Sequence, residues 1–319
     1  MTSYVIRRVM QAILVIFIVS IIVFILIRAM PGDPIYILVS SDQLRTYSPE
    51  MIEALREEKG LSDPVIVQYL KWVGNMLQGD FGNSLFRAGQ EIAPVAIRCL
   101  VVTLTIGLTA FVIGVVVGPI LGLISAIRRG RWIDDLVTVF ANIGITAPTF
   151  WIAILLMYAF AVKLQWLPIF GYTLPWDNIV LSFKQGLLPV VVSAFMPIAS
   201  SARQMRSSVL DVLGEDYVRT AWAKGLNERK TLIKHVLKNS LLPIVAMQAS
   251  RISLIIGGSV IVETIFLVPG MGKFLVEAIQ GQDYPVIQAV SMMLTVVIVF
   301  TNLVTDILYG WLDPRIQYK

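Results

Sequence analysis

Long apolar runs alternate with shorter polar ones along the whole chain, and the length of each run carries most of the information. The first, "VMQAILVIFIVSIIVFILIRAM", extends from Val9 to Met30. A helix rises about 1.5 Å per residue, so this run can cross a hydrocarbon layer about 30 Å thick. Further runs occupy residues 100–127, 136–161, 187–206, 241–262 and 286–309. Together they predict an all-α integral membrane protein with six transmembrane helices. Pro119, Pro148, Pro189 and Pro197 fall inside these runs. Proline lacks the N–H that a carbonyl of the preceding turn needs, so kinks are expected there.

Composition agrees. The chain is 56% hydrophobic and 15% charged, with a mean hydropathy of +0.77, which excludes a soluble globular protein. The single cysteine, Cys99, excludes an intramolecular disulfide, and with the single histidine, His235, it excludes a multi-His or multi-Cys metal site. A secretory signal peptide is the alternative reading of the first run, which comes after Arg7 and Arg8. The run exceeds a usual signal core, and "RAMPGDP" offers no small-residue cleavage site, so a retained signal anchor is expected.

Charge orients the runs. Arg7 and Arg8 precede the first, Arg128, Arg129 and Arg131 lie between the second and third, and Arg315 and Lys319 come after the sixth. Residues 203–240 hold eight Lys and Arg against four acids. With six spans these four regions share one side, which the excess of basic residues makes cytoplasmic, together with both termini. The segment from Pro31 to Glu91 has five basic and nine acidic residues and falls on the other side. The basic excess is thus a matter of membrane orientation, and no nucleic-acid partner is expected.

The extracytoplasmic stretch has its own helix punctuation. "SPEMIEALREEKG" offers Ser48 as N-cap, Pro49 as first helical residue and Gly60 as stop. "DPVIVQYLKWVGNMLQG" repeats the logic with Asp63, Pro64 and a stop near Gly79. Residues 31–95 therefore form a small helical extracytoplasmic segment, between a first span over 1–30 and a core over 96–319. It serves either as a lid on the spans or as a docking surface. The loop holding Gly270-Met271-Gly272-Lys273 only superficially resembles a phosphate loop. Leu267 stands where the first glycine is required, and Phe274 where Ser or Thr is required.

One polar stretch, "DYVRTAWAKGLNERKTLIKHVLKNSLLP" at 216–243, interrupts the apolar core. Leu232, Ile233, Val236, Leu237 and Leu241 fall on one helical face, and Lys230, Lys234 and Lys238 on another. Gly225 breaks the periodicity and Asn227 can cap a new helix, which predicts a helix, a tight turn and a second helix. Small residues at Ala221, Ala223 and Gly225 keep the turn slim enough for a groove. A basic amphipathic helix lying on anionic lipid is the plainer alternative, and His235 as a proton relay is another.

The pattern "A-x-A-K-G-L", then a basic helix and "L-L-P", resembles the cytoplasmic loop of binding-protein-dependent ABC importer permeases, specifically their oligopeptide and dipeptide branch. "RAMPGDP", "GDFGNSL" at 79–85, "RRGRWIDD" at 128–135, "APTFW" at 147–151, "ETIFLVPGMG" at 263–272, "DYP" at 283–285 and "LDPR" at 312–315 are similar to that branch too. Arg219-Thr220-Ala221 stands where the general motif has Glu-Ala-Ala, and the long segment after the first span resembles the first of two paired permease subunits.

The resemblance implies the type I ABC importer permease fold in a bacterial or archaeal cytoplasmic (inner) membrane. It implies a homologous second permease subunit, two cytoplasmic ABC ATPase subunits and an extracytoplasmic substrate-binding protein, all gathered around the lipid bilayer. ATP and magnesium would sit on the partner ATPase, and no cofactor is expected on this chain. Within the coupling loop, 211–240, Ala221, Lys224 and Gly225 are expected at the centre of ATPase contact, with Tyr217 and Arg219 flanking.

Arg251, deep in the fifth run, is a candidate pathway residue for a substrate carboxylate, or else a partner of Asp306 or Glu263. Asn142, Gln248 and Asn302 are expected to form hydrogen bonds between helices. The rival functions are a self-sufficient secondary transporter or channel and a membrane-embedded enzyme. The first calls for broken helices in two related halves or an acidic relay, the second for a nucleophile or metal set within the spans, and the sequence displays none of these.

Overall fold

The computed structural model describes residues 2–29, 48–58, 61–87, 89–251 and 259–312. The regular secondary structure of the described residues is helical, with an isolated antiparallel bridge between Asn83 and Glu91. Helix α1 covers Thr2–Ala29, α2 Pro49–Glu58 and α3 Val65–Leu77. Helix α4 covers Ile92–Ile127, α5 Trp132–Thr146, and α6 Thr149–Leu156, which continues as a wider π-turn through Met157–Lys163. The long α7 spans Ile179–Leu213, followed by α8, Asp216–Ala223, and α9, Glu228–Thr231. A π-turn at Leu232–Leu237 joins α9 to α10, Lys238–Arg251. Helices α11, Ser259–Ile265, α12, Met271–Gln280, and α13, Tyr284–Leu312, complete the order.

Four helices are long and apolar enough to cross a membrane by themselves: Ser3–Ala29 of α1, α4, α7 and Tyr284–Ile307 of α13. The third predicted run is not one straight span. Helix α5 and the stretch Thr149–Lys163 meet at 111°, and together they make a fifth candidate. Pro148 is the cause: Ala147 before it is extended (φ −71°, ψ 132°), as a residue preceding proline prefers, and α6 starts anew behind it. At Pro119, Pro189 and Pro197 the helices run on unbroken. The run at 241–262 lies partly outside the described residues.

By internal contacts the chain divides into two units, residues 1–101 with 269–303 and residues 102–268 with 304–319. In the first unit Ile92, Ala96, Cys99, Met271, Tyr284 and Val290 form a buried core. Helix α3 sets Tyr69 and Trp72 against Phe24 of α1, at centroid distances of 5.4 and 5.8 Å, and the Tyr69 hydroxyl lies 2.8 Å from that of Ser20. Ser48 caps α2, accepting from the Met51 N–H at 3.3 Å. The expected stop at Gly60 lies outside the described residues. Asp63 does not cap α3; its carboxylate takes Lys71 at 2.6 Å instead, while Gly79, at φ +83°, lies just past the helix end.

The motifs "GDFGNSL" and "DYP" meet in this unit. The buried Asp283 carboxylate accepts from the Ser84 hydroxyl (2.5 Å), the Leu85 N–H (3.1 Å) and the Phe86 N–H (3.3 Å), fastening a loop 199 residues away in sequence. Nearby Arg87 pairs with Glu277 at 3.3 Å.

The second unit is built around α7. Gly114, Gly118 and Gly122 of α4 repeat every four residues on one helix face, and they meet α7 so closely that side chains there would collide. A Cβ on Gly114 would sit 2.6 Å from the Pro197 Cβ, and one on Gly118 2.5 Å from the Ser201 Cβ. Gly144 of α5 meets Ala199 in the same way. Without hydrophobic driving force between helices in lipid, this close approach of backbones provides the dispersion and polar contacts that hold them. Gln248 of α10 donates to the Ser201 hydroxyl, an interhelical hydrogen bond of the expected kind.

Candidate functional site

The polar insert folds as the periodicity predicts, for local reasons that can be named. Helix α8 stops because Gly225 takes φ +78°, a left-handed conformation that costs glycine little, and its N–H donates to the Trp222 carbonyl at 2.9 Å. The Asn227 side chain then accepts from the Lys230 N–H at 2.9 Å and starts α9. Val218 and Val236 are fully buried with Met205, Val209 and Ile244, seating the helical hairpin at the base of α7. Burying one valine contributes about 1.5–3 kcal/mol, a slender anchor for an eight-residue helix.

The exposed face of α8 differs from the expected one. Ala221, expected at the centre of the contact, is only 5% exposed, whereas Lys224 and Gly225 are exposed. Trp222 is exposed, at 45%, as is Tyr217, at 42%, and both stand among exposed polar neighbours in sequence that include Arg219 and Lys224. The periodicity did not single out Trp222; a large aromatic on the polar side of a short helix was the available signal. The Tyr217 hydroxyl accepts from Asn239 Nδ2 at 3.0 Å, and Arg219 reaches Asp216 at 3.6 Å on the surface. Ile233, expected on the apolar face, is 58% exposed.

Two further connections join α7 to neighbouring helices. Ser208 of α7 and Ser240 of α10 each donate to the other's carbonyl oxygen, at 3.0 and 3.3 Å. At the base of α7, Arg206 makes a two-pronged pair with the buried Asp134 of α5, Nε to Oδ1 at 2.7 Å and Nη2 to Oδ2 at 2.9 Å. The same carboxylate accepts from the Ser125 hydroxyl (2.5 Å) and the Gly130 N–H (3.0 Å). "RRGRWIDD" is therefore a clasp that fixes the turn between α4 and α5 onto α7. Neither Asp134 nor Arg206 was singled out by sequence, since the pair spans 72 positions. Helix α7, against which the hairpin packs, is thus in contact with α4, α5 and α10.

Arg251, the other predicted site residue, ends α10; its side chain lies outside the described residues. Glu263 is buried and accepts from the Thr103 hydroxyl at 2.6 Å.

Residues 118–318 match the family described as binding-protein-dependent transport system inner membrane component, and residues 1–100 match its N-terminal family. This chain belongs to that family of importer permeases. The permease is similar to the oligopeptide transport system permease protein AppB of Bacillus subtilis (strain 168), at 39% identity with all of both chains covered. It is also 37% identical to the glutathione transport system permease protein GsiC of Shigella boydii serotype 4 (strain Sb227), again over the whole of both chains. Among solved structures, the fold matches the MetNI methionine ABC transporter in its inward-facing form, with a TM-score of 0.54 and 16% identity over 69% of this chain and 96% of that one. The permease is thus the membrane-spanning component of an ABC importer, a multi-pass inner-membrane protein working with an ATPase and a substrate-binding protein. ATP hydrolysis belongs to separate subunits in this family.

Proposed function

We propose that the permease imports peptides, paired with a homologous second permease, with two cytoplasmic ATPases below and a binding protein outside. In this reading both termini are cytoplasmic, and ATP and magnesium are bound by the ATPases alone. The α8–α9 hairpin seats in a groove of one ATPase, with Tyr217, Trp222, Lys224 and Gly225 at the contact and Arg219 at its edge. The observation that carries the reading is the pair of exposed aromatics, Tyr217 and Trp222, on a small helix fastened to the base of α7. Exposed rings of this kind are what interface cores use. Peptide cargo rests on the relatives' names, which include oligopeptide and glutathione carriers.

Gly225 supplies the test. A Cβ there meets nothing within 4 Å in this chain, so any bulk added projects toward whatever lies outside. Asparagine tolerates the left-handed conformation, whereas tryptophan adds bulk. In vesicles holding the whole complex, Gly225→Asn should keep ATP-driven uptake, and Gly225→Trp should abolish uptake while the complex still assembles. Full uptake by Gly225→Trp would rule out the groove. Uptake without ATP or partners would favour a secondary transporter.

A further inference from the structure

Between α5 and α7, within the second unit, lies a cavity of about 550 Å³. Its volume is in the range of sites that bind small molecules. Arg129, Arg203 and Arg206 line it, together with Thr138, Asn142 and Ser207. We propose that it is a subsite for the C-terminal carboxylate of a peptide leaving for the cytoplasm. The proposal rests on the peptide-importer reading above and assigns the route's cationic group to this cavity.

Three observations support it. Arg206 is locked in place by Asp134 through Nε and Nη2, which leaves its Nη1 hydrogens unused by that pair. Arg129 and Arg203 are exposed, and among the described residues neither has an ion-pair partner. Asp211 is the single acid in the lining, so positive charge predominates. A planar guanidinium presents paired N–H donors that match the two oxygens of a carboxylate.

The second observation is position. Arg203 stands ten residues before Leu213, the last residue of α7, at the start of the basic region 203–240, and Arg129 lies in the basic turn after α4. In the orientation argued above both regions face the cytoplasm, so the cavity lies where an imported peptide would leave.

The third is the openness of the arginines themselves. Exposed guanidiniums hold an anion weakly because water screens them. A transport route needs such sites, favourable enough to enter and weak enough to leave.

The test uses the permease–ATPase complex without its binding protein, so that the binding protein's own selectivity does not enter. Saturation-transfer NMR would compare a pool of free-acid di- to pentapeptides with the same pool amidated at the C-terminus. The free acids should bind, and Arg129→Gln with Arg203→Gln should weaken them about 10-fold or more, the scale of a lost charge-assisted hydrogen bond. The amides should bind weakly to both forms. No binding, equal binding of acids and amides, or acid binding untouched by the double variant would overturn the subsite. Native mass spectrometry on the same samples covers the main rival: an anionic phospholipid kept by the wild type and lost by the variant, with no acid-specific peptide binding, makes the cavity a headgroup site and overturns the proposal. Uptake of the peptide pool by the full wild-type system separates the two levels. Absent uptake removes the peptide reading itself, whereas uptake with unchanged acid and amide binding removes only the subsite.

Discussion

Two buried carboxylates each hold a loop in place, and they do it with different chemistry. Asp283 fastens residues 84–86 with neutral donors, one hydroxyl and two backbone N–H groups. Asp134 fastens the turn at 130 with one hydroxyl and one N–H, but its main partner is the Arg206 guanidinium. A carboxylate held by neutral donors can lose its charge and leave only weakened hydrogen bonds behind. A carboxylate paired with a cation cannot, because its removal strands the opposite charge. The Asp283 loop is thus a local fastening, and the Asp134 clasp joins α5, the preceding turn and α7 into one piece near the end of the helix against which the α8–α9 hairpin packs.

The largest expected effect is at the clasp. Asp134→Asn should destabilise the permease by about 3 kcal/mol, the low end for a broken buried pair, because the Arg206 side chain is 30% exposed. A shifted unfolding midpoint in mixed micelles measures it. The double variant Asp134→Asn with Arg206→Gln should recover part of the loss, giving a coupling energy of about 1–3 kcal/mol; strict additivity would show that the two side chains act separately. Asp283→Asn comes next, at about 1–3 kcal/mol, since one oxygen can still accept. Hydrogen exchange should quicken at the Leu85 and Phe86 amides and stay unchanged around Gly130. The smallest effect is expected from Lys71→Ala. Its contact with Asp63, 2.6 Å, is shorter than either Arg206–Asp134 contact, yet the two side chains are 64% and 34% exposed, so less than about 1 kcal/mol should be lost. If Lys71→Ala cost as much as Asp134→Asn, contact distance rather than burial would set the ranking.

Legibility in the sequence divides along the same line between local and distant causes. The apolar runs predicted α1, α4, α7 and α13 because span length is a property of the run itself. The hairpin at Gly225 and Asn227 was legible because a left-handed turn and a side-chain cap are decided within a few residues. Proline was not. Pro148 turns the chain by 111° while Pro119, Pro189 and Pro197 sit in continuous helices, and the outcome depends on what surrounds each one. Ala221 was expected at the contact, yet it is buried; composition cannot say which way a small residue faces. The Ser84–Asp283 and Asp134–Arg206 pairs were visible only as unexplained motifs, since nothing local brings their ends together.

The central claim is that this hairpin is the permease's joint to a separate ATPase, and cross-linking tests it most directly. Cys99 is the chain's only cysteine and is buried, so Cys99→Ala gives a clean background for single cysteines at Trp222 and Val218. In the assembled complex a photoreactive label at position 222 should form an adduct with the ATPase subunit, and one at the buried position 218 should not. An active complex in which position 222 labels only lipid, or nothing, would contradict the account.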